Sequence, residues 1–182
     1  MGGWAPFHKV ASKTHLEGEN SLPGIEPWRI HALDSQTCRQ LRAKLLELGD
    51  DSKVPQMLAS ALALFQITWL PNPAHGDLAE KHLFEPTLEN MEHIAAASCA
   101  AQNMLLSATA LGYDNFWSTG RWLRGDQVFE WLKIPQQEIL LGALFIFPSQ
   151  LSEIEVNQSK IVKSKLRERR GEPKSWSRWV EL

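Results

Sequence analysis

The chain has 182 residues, 43% of them hydrophobic and 22% charged, and 19 basic side chains stand against 21 acidic ones for a formal charge of −2. That profile describes one globular domain long enough to bury a sizeable core, and it excludes collagen-like, disordered and disulfide-scaffold classes. A near-neutral chain also argues against an electrostatic nucleic-acid binder, which is basic on balance.

Met1 to Ile25 is rich in Gly, Pro, Ser and charged residues without helical or strand period, so loop is expected. Trp28 to Leu33 reads as a first strand. Asp34 or Ser35 then caps a helix running to about Leu48, with Leu41, Leu45 and Leu48 at helical spacing and Gly49 at its end. Val54 to Ala61 predicts a second short helix, and Leu62 to Leu70 a buried strand stopped by Pro71 and Pro73. His75 to Glu85 is polar and reads as an excursion before a long helix from Thr87 to about Leu111. Apolar and small residues cover nearly every face of that helix, so it is expected to be enclosed all round, part of its coat coming from a second subunit. Tyr113 to Gly120 predicts a third strand and turn, Asp126 to Leu132 a short helix, and Ile139 to Phe147 a fourth strand. After Ser149 a basic tail ends in an alternating aromatic segment, Trp176 to Leu182, suited to adding a strand to a sheet edge. Strands interleaved with helices give an α+β or mixed α/β layer.

Cys38 and Cys99 form no C-x-x-C pair, so no redox dithiol, zinc knuckle or disulfide framework is expected, and reducing cytoplasm is the expected compartment. Met1 to Lys9 lack the apolar stretch of a secretory signal, and neither apolar run, Leu58 to Leu70 or Ile94 to Leu111, suits a membrane span. No two of His8, His15, His31, His75, His82 and His93 have the spacing that puts both imidazoles on one metal. A G-x-S-x-G elbow, a P-loop and a G-x-G-x-x-G turn are all missing. With no metal site and no catalytic nucleophile, acid or base to name, an enzyme built on this chain would use a cofactor to carry the reactive atom.

Five segments in order carry a resemblance: Ala5-Pro6-Phe7-His8-Lys9; Glu26-Pro27-Trp28; the helix Glu89 to Leu111; Gly112 to Gly120 with Asn115-Phe116-Trp117-Ser118-Thr119-Gly120; and Leu144-Phe145-Ile146-Phe147-Pro148. Together they resemble the nitroreductase family of FMN enzymes, in particular its small bacterial members. The resemblance implies an α+β fold with a mixed sheet flanked by helices and a long buried central helix. It further implies a homodimer with FMN in a cleft at the subunit interface. By position, Trp4, His8 and Lys9 match contacts from one subunit, and Trp117, Ser118, Thr119 and Gly120 match strand-end contacts from the other. Flavin reduction by NAD(P)H and hydride transfer to a nitroaromatic, quinone or similar acceptor follow by the same analogy.

The chain begins after the helix that bears the family's Arg-Arg-Ser phosphate clamp, so Lys9, Arg121, Arg124 or the basic tail would supply the replacement charge. Residues 1–149 are expected to form the nitroreductase-like domain and 150–182 a basic extension packing on the partner subunit. The alternative reading is a non-catalytic dimer of the same fold that binds another flat ligand or none.

Overall fold

A computed structural model describes residues 2–72 and 84–148, together with 178 and 180. The described chain runs β1 (Trp28–Asp34), α1 (Ser35–Glu47), α2 (Val54–Ser60), β2 (Ala63–Trp69), α3 (Leu88–Ala110), β3 (Asp114–Ser118), α4 (Asp126–Leu132) and β4 (Ile139–Phe147). Three short 3-10 turns, Gly2–Trp4, Lys13–His15 and Arg121–Arg124, complete it. The first two lie in the stretch expected to be loop alone.

Local chemistry explains the helix ends. The Asp34 carboxylate accepts the Thr37 amide at 2.7 Å and so caps α1; this bond holds the Asp34 carboxyl below the usual carboxylate range. The Thr87 hydroxyl does the same for α3, accepting the Asn90 amide at 3.2 Å. Gly49 and Gly112, at φ +81° and +82°, leave their helices in the left-handed conformation that side chains resist.

The strands form one sheet in the order β1-β2-β4-β3. The α+β class holds, but all three pairings are antiparallel, so the expected mixed sheet does not occur among the described strands. Of the terminal segment proposed as an extra strand only Arg178 and Val180 are described, neither of them in a strand, and His75 and His82 of the polar excursion lie outside the described residues.

One sheet face is covered by α1, α2 and α4, where Cys38, Leu41, Leu45, Met57, Leu58 and Phe129 meet Leu64, Phe145 and Phe147. The Phe145 and Phe147 rings stack at 6.1 Å and both are fully buried, each worth about 1.5–3 kcal/mol of apolar burial. The other face carries α3: Ala96, Ala97 and Ala100 pack on Trp28 and Trp69, and Ala101 on Ile67 and Leu144. Small side chains let the helix axis lie close to the sheet.

Helix α3 is not enclosed all round in the single chain. Met91, Ala95, Cys99, Gln102 and Leu106 follow one another at helical spacing along its outer side and are all exposed, Met91 at 61% and Leu106 at 57%. The sheet lies on one side only, so the apolar residues opposite it remain open.

Candidate functional site

Among the described strands β3 pairs with β4 alone, and it ends at Ser118, opposite Ala143. Trp117 turns inward toward α3, packing among Ile67, Ala101, Leu144 and Met104. Its indole lies directly over Gly142: a Cβ at that position would sit 1.9 Å from Trp117 Nε1. Ser118 is buried and its hydroxyl accepts the Gly120 amide at 3.2 Å. Thr119 is exposed. Gly120 then takes φ +100° beneath Leu140, where a Cβ would approach Leu140 Cδ2 to 2.7 Å, and Arg121 follows at φ +47°. Two consecutive positive φ values, the second on a side-chain-bearing residue, mark a strained turn.

The amino-terminal residues sit elsewhere. Gly2 lies against Met104 and Ile30. Ala5 enters the cluster of Trp28, Trp69 and the α3 alanines, and the Phe7 ring meets Trp28 edge-on at 5.4 Å. These contacts anchor the segment on α3 and β1 while leaving Trp4 86% exposed and His8 and Lys9 open to solvent. The loop that follows is held by Arg29, whose guanidinium donates to the carbonyls of Leu22, Gly24, Glu26 and Trp28 at 2.7–2.8 Å. The Glu26 carboxylate folds over Gly24 beside that guanidinium.

Trp4, His8 and Lys9 thus flank a segment seated on α3 and Trp28, whereas Trp117, Ser118, Thr119 and Gly120 end the edge strand β3 and its turn. No hydrogen bond or ring contact joins the two groups of expected site residues among the described residues. Of the cations considered as phosphate partners, Arg124 is occupied by backbone carbonyls. His8, Lys9 and Arg121 have no hydrogen-bond or ion-pair partner among the described residues.

The structure also gathers polar residues that the sequence did not single out. Glu138, buried just before β4, accepts Thr68 Oγ1 at 2.5 Å and His31 Nε2 at 2.8 Å. Gln66, opposite His31 in the β1–β2 register, is fully buried. His93 Nδ1 donates to the Leu70 carbonyl at 2.7 Å and His15 Nε2 to the Pro71 carbonyl at 2.6 Å, which fixes the tautomer of each ring. Burial pulls the His15 pKa below its ordinary value against the pull of its bond to Pro71. Asn90, also buried, bonds both the amide and the carbonyl of Asn72 and the carbonyl of Glu85. No signal of spacing marks these residues, because every partner is distant in sequence or a backbone group. An apolar cavity of about 370 Å³ lies at the other end of β3, lined by Phe65, Met104, Ala108, Leu111, Tyr113 and Ile146 among others. None of the expected site residues lines it.

A family model described as the nitroreductase family matches residues 21–146, more than two thirds of the chain. The chain belongs to the nitroreductase family. Solved structures agree with this nitroreductase fold. A nitroreductase-like family protein from Bacillus cereus superposes with a TM-score of 0.51 at 15% identity, over 93% of this chain and 78% of that one. A protein from Desulfovibrio desulfuricans solved in complex with FMN gives 0.51 at 18% identity, over 94% and 78%. No curated protein matches the sequence. Among its described residues, this member of the family has no helix long and apolar enough to cross a membrane and no cluster of three or more potential metal ligands.

Proposed function

We propose that the protein is a homodimeric, FMN-dependent oxidoreductase that takes electrons from NAD(P)H and passes them to a nitroaromatic, quinone or similar acceptor. The observation that carries this reading is the set of exposed side chains, Trp4, His8, Lys9, Thr119 and Arg121, that no described residue hydrogen-bonds or pairs, in a chain of this family. The open outer side of α3 supplies an apolar surface for the homodimer.

The donor set fits FMN. Thr119 offers an exposed hydroxyl with no partner among the described residues, suited to the polar edge of the ring system. Trp4 offers an uncovered aromatic face, and His8, Lys9 and Arg121 offer cationic or donor groups that are unpaired among the described residues for a phosphate. Trp117 and Gly120 shape the turn from beneath, and Ser118 holds it closed through the Gly120 amide. The bound flavin supplies hydride acceptance and release; the chain supplies orientation, hydrogen bonds and water exclusion.

The test is the colour of the purified protein. Stoichiometric flavin absorbance that survives dialysis and bleaches with NADH or NADPH supports the reading. A colourless dimer indifferent to added FMN overturns it. Because Ser118 is buried, Thr119→Leu is the sharper variant: it is expected to weaken FMN retention about tenfold while the thermal midpoint stays near that of the parent.

A further inference from the structure

We infer that Arg124 is the positioning residue of the cofactor turn, an inference that rests on the flavin reading above. Strand β3 stops at Ser118, so residues 140–142 of β4 have no β3 neighbour on that side. Leu141 is moreover the extra residue of an irregularity in the β2–β4 register, where Ile67 faces Gly142 and Thr68 faces Leu140. Carbonyls at such a place lack ladder partners.

The Arg124 side chain reaches back from the 3-10 turn and supplies them. Its Nη1 donates to the Leu140 carbonyl at 2.5 Å and its Nη2 to the Leu141 carbonyl at 3.1 Å. The third donor, Nε, goes to the Thr119 carbonyl at 2.5 Å. One planar guanidinium thus stands in for the missing end of β3 and ties the Thr119 peptide to the β4 irregularity. Three donors diverging in one plane are what this requires, and a lysine ammonium, with its protons on one nitrogen, does not reproduce them. Released from this clamp, the peptide bearing the exposed Thr119 hydroxyl would be free to leave the strained conformation at Gly120 and Arg121.

Arg39 provides the control. It too clamps carbonyls, those of Leu58 and Ala61 at 2.5 and 2.9 Å, but on the α1–α2 side, away from the turn. The experiment compares Arg124→Ala, Arg124→Lys and Arg39→Ala by FMN titration, visible spectrum of the bound flavin and thermal midpoint without FMN. Arg124→Ala is expected to bind FMN about tenfold or more weakly with an altered flavin spectrum, restored by free guanidinium and not by an alkylammonium salt; Arg124→Lys also binds weakly. Arg39→Ala is expected to lower the midpoint while leaving FMN affinity and spectrum unchanged. Parental affinity and spectrum in Arg124→Ala, or an equal loss in Arg39→Ala, overturns the positioning role alone. Failure of the parent chain to bind FMN overturns the flavin reading and this inference with it.

Discussion

The indole of Trp117 rests on the backbone of Gly142, so closely that a single added carbon would lie 1.9 Å from its nitrogen. Gly142 has no positive φ, so the requirement for glycine there is steric. Gly142→Ala is therefore expected to displace Trp117 and destabilise the fold by about 1–3 kcal/mol, as overpacked cores do. Urea unfolding followed by tryptophan fluorescence measures it. Gly3→Ala, with nothing within 4 Å of the new carbon, should stay within about 0.5 kcal/mol; equal midpoints for the two variants would refute the contact.

Acid should weaken the fold through His15. Its ring donates Nε2–H to the Pro71 carbonyl, and burial holds its folded pKa below the ordinary 6.5. Between those two values the unfolded chain binds the extra proton and the native one does not. Stability from this group is complete above pH 6.5 and is lost as pH falls toward the folded value, with a slope of at most about 1.4 kcal/mol per pH unit. His15→Gln keeps a donor for Pro71 and removes the proton site. Denaturant midpoints across this range should therefore be flatter in the variant; identical slopes would exclude His15 as the source.

Asn90 holds Asn72 through two bonds and Glu85 through a third, so one buried side chain joins both flanks of residues 73–83. Asn90→Ala removes both bonds to the backbone of Asn72, while the Glu85 carbonyl keeps the Thr87 amide, at a cost of about 1–2 kcal/mol. The expected readout is a lower thermal midpoint together with faster hydrogen exchange at the Asn72 amide. A variant as stable and as protected as the parent would show that these bonds are replaceable.

The outer side of α3 gives a test of the dimer that does not involve flavin. Cys99 lies on that side and is exposed in the single chain, whereas the Cys38 thiol is buried and pushed up to about 11, so a maleimide should spare both thiols in the dimer and modify Cys99 alone once the dimer is dissociated. Leu106→Glu changes a residue that is 57% exposed in the single chain. It should leave monomer stability within about 0.5 kcal/mol yet shift the dimer toward monomer in sedimentation. An unchanged dimer would place the interface elsewhere.

How much of this was legible in the sequence depends on whether a residue's partners are local. The limits of β4 and α4 were read correctly because a continuous apolar run and a helical one there are bounded by Gly or Pro, and Asp34, one of the two expected caps, closes the α1 terminus on Thr37. Which side of α3 meets the sheet was not legible: alanine, cysteine and leucine on every side do not say, and only the position of β2 and β4 decides it. The Trp117–Gly120 segment was singled out as an expected site, but the direction of Trp117 depends on Gly142 and the hold on Thr119 depends on Arg124. His15, His93 and Asn90 grip the carbonyls of Pro71, Leu70 and Asn72, and a backbone oxygen leaves no mark on composition.

The strand order has a consequence for synthesis on the ribosome. Strands β1 and β2 pair with each other, yet the only described bridge from them to β3 is β4, which is translated after all three. Until residue 147 clears the exit tunnel, the nascent polypeptide holds a β1–β2 ribbon and a detached β3 with an alanine-rich helix between them, and the inner edge of β2 has nothing to zip against. Assembly is thus deferred to a single late insertion, and that waiting interval is when the emerging chain most needs a chaperone.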